Sequence, residues 1–265
     1  MQLSKQGNQT VLLYFSTLIG TLLGVVSSVI NTRFLDPINY GDVRYVQNII
    51  SFLASILLFG YFWSGSRMLA LSNSEEKNRR IRGMMVIILI IASGVLLLCT
   101  LLFGFGYYGW NKTVGYLFLI SSPVCFNLLL LNYINTTAQG DNHIGRLSAA
   151  RILPTLIYIV LSYWIFNKYG ANSTSMILLQ WGSATLILFI IVISTKPSFS
   201  KVKPIFRELI KENKKYGIHL YYGSLAMVTT NYFAGVTLGI FNNDNVNVGF
   251  YTLALSVTTP LQMLP

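Results

Sequence analysis

Charge is absent from most of this chain. The 19 Lys and Arg and the 8 Asp and Glu residues are gathered into clusters that leave eight uncharged windows, at 6–32, 45–66, 83–111, 113–140, 152–167, 169–195, 216–243 and 245–265. A helix rising about 1.5 Å per residue needs roughly 20 apolar residues to cross about 30 Å of hydrocarbon. Seven of the eight windows reach that length. Only 10% of the residues are charged and 53% are hydrophobic, too little charge to clothe a soluble domain. The reading is an all-α, polytopic transmembrane bundle of eight spans.

The fifth window, 152–167, is short and holds Pro154, so topology has to decide it. If it spans, 15 of the Lys and Arg fall on one side: Lys5, the 63–83 and 136–151 loops, and the 195–216 connection. Only Arg33, Arg44, Lys112 and Lys168 fall on the other. Cytoplasmic loops retain Lys and Arg, so the amino terminus is expected in the cytoplasm, and deleting the fifth span would put the basic 196–215 loop outside. Arg151 is then expected to snorkel to the interface.

The net charge of +11 does not call for nucleic acid, because the basic residues flank spans and no folded domain presents them. The first window lacks a short apolar region followed by a small-residue cleavage site and reads as an anchor. Cys99 and Cys125, both inside spans, make no disulfide framework.

Six spans are expected in residues 1–195, as an amino-terminal lobe. Residues 196–216 follow as a cytoplasmic amphipathic linker helix, with Ile205, Phe206, Leu209 and Ile210 recurring opposite Arg207, Glu208, Lys211, Glu212 and Lys214. Its basic face suits either anionic headgroups or solvent. Residues 217–265 hold two further spans, and they repeat the opening faintly. Gly7, Phe34, Asp36, Tyr40, Gly41 and Val43 line up with Gly217, Phe241, Asp244, Val248, Gly249 and Tyr251. Duplicated bundles are a transporter architecture. Because Leu264 and Pro265 lie inside an apolar segment, the expectation is a chain truncated after its eighth span, with about six helices of a second lobe to follow.

The stretch from Asn31 through Arg33, Asp36 and Pro37 to Tyr40 and Gly41 resembles the opening of the polysaccharide-exporter branch of the multidrug/oligosaccharidyl-lipid/polysaccharide (MOP) exporter superfamily. The stretch from Asn247 through Gly249 and Tyr251 to Ala254, with Pro260–Pro265, resembles the matching motif of that family's second bundle. The resemblance implies a MATE-like fold of two six-helix lobes. It also implies a flippase that carries lipid-linked oligosaccharide, such as undecaprenyl-pyrophosphate O-antigen repeats, across the bacterial inner membrane by rocking its lobes around a polar cavity. Membrane lipids, and other membrane proteins of polysaccharide assembly, are the partners it implies. It further implies that Arg33, a first-span arginine beside the motif, faces the cavity.

An anionic, sugar-bearing amphiphile needs cations and many neutral hydrogen-bonding groups along its path. Arg44, at the outer end of the second span, joins Arg33 as a candidate cation; either could instead snorkel or pair with Asp36 or Asp42. In the fourth span Asn132, Asn135, Thr136 and Gln139 fall on one stripe at three- and four-residue spacing, with Asn127 off it. That seam could hold sugar hydroxyls or hydrogen-bond neighbouring helices. Asn48 and Ser51 on the second span and Asn231 on the seventh have the same two uses. Gly20, Gly24, Gly104 and Gly106 suggest close helix packing.

An enzyme is a poor fit. All eight carboxylates sit at span ends or in loops without the pairing that acid–base catalysis needs. His143 and His219 lack companions at metal-ligand spacing, and there is no Gly-rich phosphate loop, so no cofactor is expected. The alternatives are a membrane glycosyltransferase or polymerase, which would carry a large extramembrane loop with paired acids, and a cation-coupled drug exporter of the same superfamily. The exporter should place an Asp or Glu inside a span, and the windows hold none.

Overall fold

The computed structural model describes residues 5–242 and 244–260, the side chains of residues 5, 6, 8, 9 and 231 excepted. Asn231 and the last five residues of the second motif therefore lie outside the described side chains and residues. The described chain is built of helices: α1 (Lys5–Phe34), α2 (Pro37–Ile56), α3 (Tyr61–Leu71), α4 (Glu75–Tyr108), α5 (Lys112–Ser121), α6 (Asn127–Gly140), α7 (Ile144–Tyr169), α8 (Ser173–Ser194), α9 (Val202–Glu212), α10 (Ile218–Phe241) and α11 (Val246–Thr258).

Five segments are each long and apolar enough to cross a membrane: α1, α4, α5 with α6, α7 and α8. Two bent pairs, α2 with α3 and the run Val202–Phe241, raise the number to seven, and α11 is a shorter apolar helix. In chain order these fall on the eight uncharged windows. The fifth helix extends well beyond its apolar window, since α7 begins at Ile144 and carries Arg146, Arg151 and Pro154 within it. The protein is thus a multi-pass membrane protein.

Helix ends follow local chemistry. Asp36 caps α2, accepting from the Asn39 amide at 2.7 Å, with Pro37 in the first turn. Ser74 caps α4 ahead of Glu75 and Glu76, and Asn172 forms a capping box with Ser175 at the start of α8. Between α2 and α3 the span bends by 56° at Phe59 and Gly60, both at positive φ. A Cβ on Gly60 would lie 2.4 Å from the Gly217 carbonyl oxygen, so only glycine fits. Asn213, buried in the π-helical turn Asn213–Gly217, clamps this bend: it donates to the Phe59 carbonyl at 3.1 Å and accepts from the Ser64 hydroxyl at 3.0 Å.

The core runs through α2, α4, α5 and α6, where Val46, Ile50, Ile81, Met85, Leu96, Leu117, Phe118, Leu129 and Tyr133 are buried. Large apolar side chains are also abundant outside, with Phe15, Leu22 and Val29 on α1 and Ile90, Leu98, Leu102 and Phe105 on α4 exposed. In water such a surface would aggregate; against lipid it is the expected exterior, and packing rather than water exclusion joins the helices.

Helix α9, the expected linker, turns its apolar face to protein. Ile205 and Leu209 are buried between the basic ends of α3 and α4, and both α9 acids are taken up in ion pairs, Glu208 with Lys77 at 2.7 Å and Glu212 with Arg67 at 3.0 Å. Lys203, Arg207, Lys211 and Lys214 remain exposed. Beyond it, α10 runs antiparallel to α2, with Tyr221 donating to the Ile56 carbonyl at one end and Gly239 against Tyr45 at the other.

The glycines aligned by the faint repeat meet in space. A Cβ on Gly249 would lie 3.2 Å from the Gly41 Cα, and one on Gly41 would lie only 2.1 Å from the Asn245 carbonyl oxygen. Asp42 accepts from the Asn245 side chain at 2.7 Å beside this crossing. Gly41→Ala is therefore expected to force α2 away from the 245–249 segment, at a cost of ~3 kcal/mol or more from overpacking against backbone. Maleimide labelling of a cysteine at Val248, a fully buried position, should rise in that background; unchanged labelling would show that the crossing adapts.

Candidate functional site

One face of α1 is made of small and hydroxyl-bearing residues. Thr17, Gly20, Thr21, Gly24, Ser27 and Ser28 recur every three or four residues and so share a stripe. Thr17 and Thr21 donate their hydroxyl protons to the carbonyls one turn back, Leu13 at 2.8 Å and Thr17 at 3.0 Å. A hydroxyl whose proton is committed in this way meets any further partner as an acceptor. Two cavities of about 370 and 350 Å³ open along this stripe, and both are walled by Gly20, Thr21 and Thr155.

The first cavity lies among α1, α6, α7 and α8. Its cation is Arg151, half-buried, donating to the Thr17 hydroxyl from one turn before Pro154. Pro154 has no N–H, so the carbonyl of Ala150, a residue that also lines this cavity, lacks its helical donor. Asn127 adds an amide, and Leu128, Leu131 and Leu188 supply apolar walls. Arg151 thus departs from the expected snorkelling. The small stripe of α1 packs on α7 closely enough, with Gly20 beside the Arg151 backbone, to draw the side chain inward.

The second cavity lies between the stripe, α2 and α8 on one side and Thr252, Ser256 and Thr259, in and just past α11, on the other. Its cation is Arg44. The guanidinium stacks over the Tyr40 ring at 4.9 Å and donates to Gln47 at 2.9 Å, and Gln47 donates to Gln180 at 3.0 Å. Among the described residues no carboxylate neutralises it: Asp36 is occupied as the α2 cap and Asp42 is hydrogen-bonded by Asn245. Arg44 Nε is buried and has no partner among the described residues; Asn31 Nδ2 and the Tyr40 hydroxyl, likewise unpartnered among them, belong to residues that do not line this cavity, Tyr40 facing a separate one with Val246 and Gly249. Tyr158 donates to Asn31 and lies within electrostatic reach of both Arg44 and Tyr40.

The other residues singled out by sequence lie elsewhere. Arg33 is exposed in the last turn of α1, where a cation suits the helix terminus, and lines neither cavity. Asn48 packs against Gly235 of α10. Asn132 donates to its own helix at Leu128, Asn135 has a buried oxygen without a partner among the described residues, and Gln139 is exposed. On α6 it is Asn127, off the stripe, that reaches a cavity. Of the glycines, Gly104 is packed against Leu119 while Gly24 and Gly106 face open space.

The sequence from residue 7 to residue 264 matches the family model described as "Polysaccharide biosynthesis protein". The chain belongs to that family. Among curated proteins, this polysaccharide biosynthesis family member is similar to an uncharacterised membrane protein of Methanocaldococcus jannaschii, at 27% identity over 145 residues, 54% of this chain and 28% of that one. Its fold is that of MOP-superfamily transporters. It superposes on a MATE multidrug transporter, DinF-BH, solved as a ligand complex, with a TM-score of 0.74 at 10% identity, covering 97% of this chain and 60% of that one. It also superposes on an inward-facing multidrug resistance transporter of the MATE family, with a TM-score of 0.68 at 15% identity, covering 94% and 60%. The chain spans about 60% of the length of these transporters and 28% of the curated relative.

Proposed function

We propose that this protein carries a lipid-linked oligosaccharide, an undecaprenyl-diphosphate repeat unit, across the bacterial inner membrane by alternating access, with its basic end in the cytoplasm. One observation carries the reading: two arginines without a carboxylate partner among the described residues, Arg44 and Arg151, stand along a single hydroxyl-lined wall in spanning helices. A cation in hydrocarbon is costly and is kept where something anionic passes. A diphosphate has acceptors only, and the Arg44 guanidinium, whose Nε has no partner among the described residues, matches it. The lipid tail stays in the bilayer.

Drug export is the second reading, since the solved neighbours include multidrug transporters. An exporter of cations would want a carboxylate in its cavity, and among the described residues neither cavity on the α1 stripe is lined by one.

The test is reconstitution in liposomes with a fluorescent undecaprenyl-diphosphate disaccharide and with a cationic rhodamine dye. Protein-dependent translocation of the lipid and none of the dye is expected. Arg33→Ala should translocate at close to the parent rate, because Arg33 is exposed at a helix end. Dye transport without lipid movement would overturn the reading.

A further inference from the structure

The two cavities differ in what they offer. The one at Arg44 holds a guanidinium whose Nε has no partner among the described residues, whereas the one at Arg151 mixes a single cation with acceptors. Those acceptors are the Thr17 hydroxyl oxygen, whose proton is committed to Leu13 and which already accepts from Arg151, and the Ala150 carbonyl, which Pro154 deprives of its helical donor, with Thr155 and Asn127 able to act either way. A second phosphate would meet these acceptors unfavourably, since it has no protons to give them. A sugar ring gives and takes hydrogen bonds, and so fits the mixture. The guanidinium is what a neutral sugar leaves unexplained. Arg151 donates to the Thr17 hydroxyl and pairs with no carboxylate among the described residues, in a cavity otherwise walled by Leu128, Leu131, Pro154 and Leu188. A planar cation left unneutralised in such surroundings is complementary to a planar anion.

We propose that the Arg151 cavity binds a sugar carboxylate, so that the transported unit is an acidic oligosaccharide bearing a uronic acid or its like. The inference rests on the carrier reading above and names its substrate class. The scale agrees. From Thr17 to Ser28 the shared wall runs about 16 Å along α1, room for a diphosphate at one end and the first sugars at the other. The cavity volume of about 370 Å³ lies in the small-molecule range.

The probes are three lipids on one polyprenyl chain: the bare diphosphate, a neutral disaccharide diphosphate, and the same disaccharide with one hexose replaced by its uronic acid. Binding is measured to the protein in nanodiscs. The parent should prefer the uronate lipid over the neutral one by about 10-fold or more. Arg151→Gln should erase that preference and weaken the bare diphosphate lipid far less than the uronate lipid, with an unchanged melting temperature in detergent certifying its fold. Arg151→Lys should keep part of the preference. If Arg151→Gln weakens the bare lipid as much as the uronate lipid, Arg151 contacts phosphate and the inference falls. Equal binding of the two saccharide lipids by the parent also overturns it, with the carrier reading intact. Failure of all three lipids to bind would instead remove the carrier reading, and the inference with it.

Discussion

Arg44→Gln is expected to lower translocation of a diphosphate-linked lipid by about 10- to 100-fold with little change in thermal stability. The rate effect follows from removing a charge-assisted hydrogen bond to phosphate, of the order of 1.5–3 kcal/mol, where no second cation lines the cavity among the described residues. Stability should hold because Arg44 forms no ion pair among those residues, so its loss strands no carboxylate, and glutamine can still approach Gln47. Tyr40→Phe removes a buried hydroxyl that lies off the cavity lining and leaves the ring under the guanidinium. It should lower translocation by about 2-fold at most. Parallel liposome flipping assays on the two variants give the ratio. Parent-level flipping by Arg44→Gln would remove this end of the wall from the mechanism, and a matching fall in melting temperature would reassign Arg44 to structure.

The helices are legible in the sequence because each is announced by what it lacks, namely charge, and the loops by what they hold. Span ends are legible for the same kind of reason: Asp36-Pro37, Ser74 before two glutamates, and Asn172 are local signals with local outcomes. The cavity is only half legible. Arg44 can be named from its place at a window's edge, yet the fate of its neighbours Asp36 and Asp42 depends on a cap and on Asn245, which lies 203 residues from Asp42. Arg151 reads as snorkelling because its window starts after it; α7 begins seven residues before it and carries it inside a span. The polar stripe on α6 is the richest in amides, but three of its members bond to their own helix or face out of the cavities. The wall of both cavities is the weaker-looking Thr, Gly and Ser stripe on α1. Its spacing is present in the sequence, and its meaning comes from the helix packed against it.

Arg82→Met is expected to be the most damaging single change to stability, by about 3–5 kcal/mol near neutral pH, although Arg82 touches neither cavity. Its side chain is 3% exposed and that of its partner Asp141, 3.2 Å away, is 4% exposed, so the pair ties the start of α4 to the end of α6 out of contact with water. Glu75, largely exposed, completes the arrangement from the rim. Burial raises the Asp141 carboxyl above its ordinary 3.8 and Arg82 opposes that rise, with His143 and Arg146 lowering it and Glu75 raising it further. The native state therefore holds this proton more tightly than the unfolded chain, and the carboxyl's contribution to stability falls as pH climbs through the window above 3.8. Removing Arg82 moves the native value higher and widens that window. The variant's deficit should then be smaller at about pH 5 than at about pH 8, because falling pH favours the protonated Asp141 while rising pH leaves a bare carboxylate buried. Arg82→Met with Asp141→Leu should regain most of the loss at both, because neither charge remains to be desolvated. Melting curves in detergent at the two pH values decide it. A deficit independent of pH, or no recovery in the double variant, would mean that Arg82 stabilises the bundle through packing of its stem rather than through its charge.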